Sequence, residues 1–140
     1  MPQLEPIEGS VDYLGRPLIR IETPGFPDPL LAFIDTGFNG AIIIDAAQAD
    51  RLGFKVANIR APVKLANQHE IEFLLGRGTF PWLGENKLIW AYVLIESPEM
   101  RCARTARKTE EKILIGTELL SACRLEIEFP RRKVRVIKAA

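Results

Sequence analysis

Phe33-Ile34-Asp35-Thr36-Gly37 is an apolar run that breaks off in Asp-Thr-Gly. Far downstream, Ile113-Leu114-Ile115-Gly116 is a second apolar run that ends in glycine, followed by Thr117-Glu118-Leu119-Leu120. Short apolar runs closed by turn formers read as buried strands. A carboxylate at the tip of such a strand, on a turn made of a small hydroxyl and a glycine, is poorly solvated and has little steric cover. An acid or base is presented in this way to a substrate rather than to bulk water. Asp-Thr-Gly alone also makes ordinary turns, so the specific signal is the pair of motifs in this order.

Outward from the first motif, Leu18-Ile19-Arg20-Ile21-Glu22 alternates with period two and pairs with 11–13 across the turn Leu14-Gly15-Arg16-Pro17. Residues 1–9 hold two prolines and little pattern, and read as an arm. After Gly37, the β-branched stretch 41–44 reads as another buried strand. Asp45 then has the place of an N-cap for a short helix that Gly53 ends. Val63-Lys64-Leu65 and Ile71-Glu72-Phe73 alternate around a polar centre, the signature of a hairpin over 64–72 with an exposed tip. Strands follow around 78–82 and, after the turn at Leu83-Gly84-Glu85-Asn86, over 88–95. Residues 97–111 are polar, rich in arginine and without periodicity, and read as a loop. The chain closes with the Gly116 strand, a short helix over 117–122, and a hairpin pairing 125–129 with 134–137. The sum is one all-β domain over 1–140: a small closed β-barrel with two short helices.

The chain has 140 residues, enough to bury a core, and 47% of them are hydrophobic. Nineteen basic and eighteen acidic residues leave a formal charge of +1, which gives no bulk attraction for nucleic acid or acidic membranes. The longest apolar run, 88–95, is eight residues, too short to span a bilayer, and reads as a strand buried on both faces. Met-Pro-Gln-Leu-Glu-Pro at the start lacks the basic-then-apolar order of a secretory signal. Cys102 and Cys123 then read as reduced thiols of a cytoplasmic protein, and neither has a Cys or His neighbour at zinc-ligand spacing.

Several residues have plainer readings. His69, the one histidine, lies in a polar hairpin tip with no nucleophile signature nearby, and reads as a solvated surface residue. Asp50 fits the wet face of the short helix, which leaves Asp35, Asp45 and Asp50 without the look of a metal site. Trp82 and Trp90 read as core residues rather than ligand platforms, and the arginines around Arg104 as a solvated loop.

Taken together, the two motifs resemble the retropepsin-like (retroviral-type) aspartic proteases, in particular the small bacterial members. The resemblance covers about 11–137, in the order and type of elements. It implies a homodimeric endopeptidase with no cofactor and no metal, acting on peptides or proteins. Peptide hydrolysis by carboxylates needs two of them sharing one proton. This chain has no internal repeat to supply the second, so Asp35 would face its own copy across a two-fold axis. The resemblance further implies that Thr36 braces the paired loops and that Gly37 lets backbone and substrate approach. Ile115 and Gly116 would support the loop from beneath. Phe38 and Asn39 would line the cleft, and a flap over 64–72 would close with its tip at Ala66, Asn67, Gln68 and His69. A catalytically silent domain of this fold, used for dimerisation or for binding an extended peptide, is the alternative.

Overall fold

Alternating apolar and polar residues take the form of strands, and turn formers separate them. A computed structural model describes residues 5–64, 70–95 and 113–139. Along the chain run β1 (Ile7–Val11), β2 (Pro17–Ile21), β3 (Leu30–Ile34), β4 (Ile42–Asp45), α1 (Ala46–Leu52), β5 (Lys55–Lys64), β6 (Glu70–Trp82) and β7 (Glu85–Leu94). After them come β8 (Ile113–Ile115), α2 (Thr117–Leu120), β9 (Cys123–Glu128) and β10 (Lys133–Lys138).

The ten strands form one sheet in the order β5-β6-β7-β4-β8-β3-β2-β1-β10-β9. Most neighbours are antiparallel, but β8 runs parallel to β3, and β4 runs parallel to β7. The β3–β8 pair brings the two apolar motifs side by side, with Ile34 beside Ile115. Inward-facing Ile19, Ala32, Ile42, Ile113, Ile115, Val134 and Val136 are shut off from solvent. They belong to one core cluster with Phe80 and Trp82 from the other half of the sheet. The sheet therefore curls around its core.

The expected closed barrel is corrected. Among the described residues the sheet has two edges, β5 and β9. Its halves meet through core side chains and through an ion pair from Lys138 to Glu85 at 3.3 Å, not through a ladder between edge strands.

Other expectations shift as well. Ile7, Glu8 and Gly9, read as part of an arm, lie in β1, paired with β10 on one side and, from Gly9 onward, with β2 on the other. The run 88–95 is not buried on both faces. Ile89 and Val93 face the core, while Leu88 and Trp90 on the opposite face are 61% and 39% exposed. Trp90 is thus not a core residue, and the Arg77 guanidinium covers its ring at 4.9 Å from the centroid. Trp82 is buried as expected. The hairpin read over 64–72 is longer than its sequence signature. Its arms pair from Lys55 opposite Arg77 to Lys64 opposite Glu70, with an irregularity between Val56 and Arg60. Residues 65–69, and with them the tip residues Ala66, Asn67, Gln68 and His69, lie outside the described residues, as do Cys102 and the loop read at 97–111.

The helix after β4 forms for the reason its sequence gives. The Asp45 carboxylate accepts the Gln48 N–H at 2.7 Å, and the Gln48 side chain accepts the Asp45 N–H at 3.1 Å, a reciprocal capping box. Gly53 closes the helix in the left-handed region at φ 77°.

Candidate active site

Asp35 is the first residue beyond β3, and its surroundings follow from the strand beside it. β8 extends the parallel ladder one bond further: the Asp35 N–H donates to the Ile115 carbonyl at 2.9 Å. The chain then turns sharply, with the Phe38 N–H reaching back to the Asp35 carbonyl at 3.2 Å. Inside the turn, the Gly37 N–H donates to Asp35 Oδ1 at 3.0 Å. That bond ties the carboxylate to the backbone of its own turn. Asp35 is half-buried, while Thr36, Gly37 and Asn39 are exposed. The carboxylate thus stands on a rim that solvent, a substrate or another protein surface can reach.

The second motif clamps this loop from below. Gly116 donates its N–H to Ala41 at 2.8 Å, Thr117 to the Phe38 carbonyl at 2.8 Å, and Glu118 to the Gly40 carbonyl at 3.2 Å. The Thr117 hydroxyl adds a bond to the Phe38 carbonyl at 3.3 Å. Gly116 must be glycine for this to fit. A Cβ there would lie 2.2 Å from the Gly40 carbonyl oxygen and 2.5 Å from the Phe38 ring. Ile115 and Gly116 are therefore placed against the loop.

Phe38 departs from expectation. Read as a cleft residue, it is 6% exposed, because its ring turns under the loop rather than into the open. Gly40 and Gly116 leave the hollow it fills, since a Cβ at Gly40 would stand 2.5 Å from the Phe38 ring. Burying a phenyl ring in this way stabilises the loop by about 2–3 kcal/mol. Sequence reasoning missed this; the glycines flanking the motifs were its signal.

Arg16 approaches the neighbouring strand. Its guanidinium lies over the Phe33 ring at 4.3 Å from the centroid, and its Nε donates to Asp12 Oδ2 at 2.9 Å. Partial desolvation pushes the Asp12 carboxyl up, but bonds from the Arg16 and Leu14 amides and from the Arg16 guanidinium outweigh it and hold the carboxyl below its ordinary range. The turn between β1 and β2 is thereby pinned beside β3.

Two hollows on the surface lie elsewhere. One of about 480 Å³ is lined by Phe26, Leu30, Gln48 and Arg51, at the end of β3 opposite Asp35. A shallower one of about 630 Å³ runs past Ile7, Arg20 and Trp82. Among the described residues no three His, Cys, Asp or Glu side chains gather as a metal site, and no helix is long and apolar enough to cross a membrane.

Among solved structures, the chain is similar to a retropepsin-like aspartic protease from Rickettsia conorii. The two are 17% identical, with a TM-score of 0.57, and the match covers 95% of this chain and 99% of that one. No protein-family model matches the chain. No curated protein matches it. The likeness is one of fold: a mostly β, retropepsin-like architecture.

Proposed function

We propose that this chain is an aspartic endopeptidase that works as a two-fold homodimer, with one Asp35 from each copy forming the catalytic pair. The observation that carries this reading is the Asp35 carboxylate itself. It is half-exposed at the end of a buried strand, on a loop whose backbone is fixed by bonds to the second motif. A single carboxylate on a rim cannot both activate water and protonate a substrate. Two related by symmetry can, because like charges a few ångström apart share one proton. The ionised member takes a proton from water, whose oxygen adds to the substrate carbonyl. The protonated member gives its proton to the carbonyl oxygen, and the nitrogen leaves after protonation. Thr36 and Gly37 form the surface where the two loops meet. Asn39 lines the cleft, and the β5–β6 hairpin serves as the flap through Ala66, Asn67, Gln68 and His69.

The edge at β9, open among the described residues, supports a dimer. Its charges alternate with Leu125 and Ile127, and antiparallel pairing of two copies about Leu125 sets Arg124 of one opposite Glu126 of the other. No metal or cofactor takes part in this reading.

The test is digestion of an unbiased peptide mixture across a range of pH by wild type and Asp35→Asn, with sedimentation of both at micromolar concentration. Cleavage by the wild-type dimer, with a bell-shaped pH profile, and none by a variant that remains a dimer is the expected result. Equal cleavage by both proteins, or cleavage by a strict monomer, overturns the shared-dyad mechanism. A dimer that cleaves nothing favours the silent peptide-binding alternative.

A further inference from the structure

The Phe38 ring meets the ring of Tyr92 on β7 edge-to-face, with centroids 5.1 Å apart and planes at 83°. Tyr92 in turn meets Phe73 on β6 at 6.0 Å and 63°. Three rings thus connect the Asp35 loop, the middle of the sheet and an arm of the long hairpin. Phe73 reaches Tyr92 diagonally, since the residue directly opposite Tyr92 is Leu75. Phe38 and Phe73 are 6% and 4% exposed, yet neither belongs to the core cluster that unites the rest of the sheet. They lie on the sheet's other face, where Leu88 and Trp90 remain open to solvent. The rings make a small separate packing unit, and its members sit on the elements that the endopeptidase reading requires to act together.

We propose that Tyr92 is a positioning residue that couples the β5–β6 hairpin to the Asp35 loop. The consequence for catalysis rests on the endopeptidase reading; the coupling itself does not. Interlocked rings at close-packed density cannot slide independently without opening a void or a clash. Phe38 is held on its other side by backbone, with its carbonyl bonded to Thr117 and its ring against Gly116. Tyr92 also closes on Gly40, where a Cβ would stand 3.0 Å from its ring. A shift of the hairpin arm at Phe73 therefore reaches Phe38 through Tyr92, and Phe38 is three residues from the carboxylate. What Tyr92 contributes is a flat ring of the right thickness, so its hydroxyl is dispensable.

Three variants test this: Tyr92→Leu, Tyr92→Phe and Phe73→Leu. Amide exchange is followed at Gly37, Phe38, Gly116 and Thr117, and peptide cleavage is measured alongside. Tyr92→Leu should speed exchange at those four amides by about tenfold while leaving β2 and β10 unchanged. Tyr92→Phe should behave as wild type. Phe73→Leu, although on another element, should also loosen the Asp35 loop, and adding Tyr92→Leu to it should have little further effect. In cleavage, Tyr92→Leu should lower kcat about tenfold with KM changed by less than about twofold, and phenylalanine should rescue it. Loop amides that do not respond to Tyr92→Leu, a phenylalanine variant as loose as leucine, or a Phe73→Leu effect confined to the hairpin would each overturn the proposal. A wild type that cleaves nothing refutes the endopeptidase reading instead, and the exchange data still decide the coupling.

Discussion

Replacing Gly116 by alanine tests how the site is built. The added Cβ would lie 2.2 Å from the Gly40 carbonyl oxygen, 2.5 Å from Phe38 Cδ2 and 2.6 Å from the Phe38 carbonyl oxygen. Carbon and oxygen ordinarily approach to about 3.3 Å, so the loop must retreat by about 1 Å. The obstructing oxygens are not free to do so, because they accept the Thr117 and Glu118 amides at 2.8 and 3.2 Å. Giving up two such bonds costs about 1 kcal/mol each, and overpacking adds about 1–3 kcal/mol. A total of about 3–5 kcal/mol follows. With about 2.1 cal/mol/K of unfolding entropy per residue over 140 residues, that lowers Tm by about 10 °C or more. Calorimetry reads this directly, and Gly25→Ala supplies the control. Gly25 adopts φ +86° but faces open space, so alanine there meets only the left-handed penalty of about 1–2 kcal/mol. If Gly116→Ala melts within about 2 °C of wild type, the second motif does not brace the loop.

Two further outcomes can be checked on the scaffold. Asp45→Ala removes the side-chain half of the capping box, the acceptor for the Gln48 N–H, and should cost about 1–2 kcal/mol by urea unfolding, whereas Asp45→Asn should retain most of the stability; equal losses would mean that the cap is not what Asp45 provides. Because the Asp12 carboxyl is held below its ordinary range, the unfolded chain binds the proton more readily. The stability that Asp12 lends is therefore present above about pH 4 and is lost as pH falls through its folded value, so Asp12→Asn should flatten the acid limb of the stability curve; an unchanged limb would contradict this.

Much of the site was legible because its signals are local. Strand, turn and glycine sit next to one another at Phe33 to Gly37, and the short helix announces its start at Asp45 and its end at Gly53. What escaped was decided by distant partners. Phe38 follows the Asp-Thr-Gly triplet and so looks like a cleft residue, but Gly40, Tyr92 and Gly116 together make the space beneath the loop that claims it. A serine there would leave a void against Tyr92 rather than widen a cleft. The unbroken apolar run before Ile95 hid a two-sided strand, since Leu88 and Trp90 are as apolar as the inward residues but the outer face is only partly covered. β1 was obscured by its sparse pattern and is held by β10 from the far end of the chain. β5 mixes charges, a proline at Pro62 and an irregular register, the marks of an edge strand rather than of a loop. Whether a curled sheet closes depends on its two edges, and no single segment records that.

The parallel pairing of β3 with β8 also bears on when the site comes into being. Thr117 and the Phe38 carbonyl that it caps are 79 positions apart. Most of the backbone bonds that shape the Asp35 loop run to this distant segment. Bringing such remote segments together carries a large loop-closure entropy, which slows folding relative to local hairpins such as β6–β7. During synthesis, Asp35 leaves the ribosome long before Ile113 is made, and for that interval its loop has no partner. The carboxylate is thus among the last features to reach its final position, and a chain stopped before Ile113 would carry Asp-Thr-Gly without the backbone bonds from 115–118 that shape its loop.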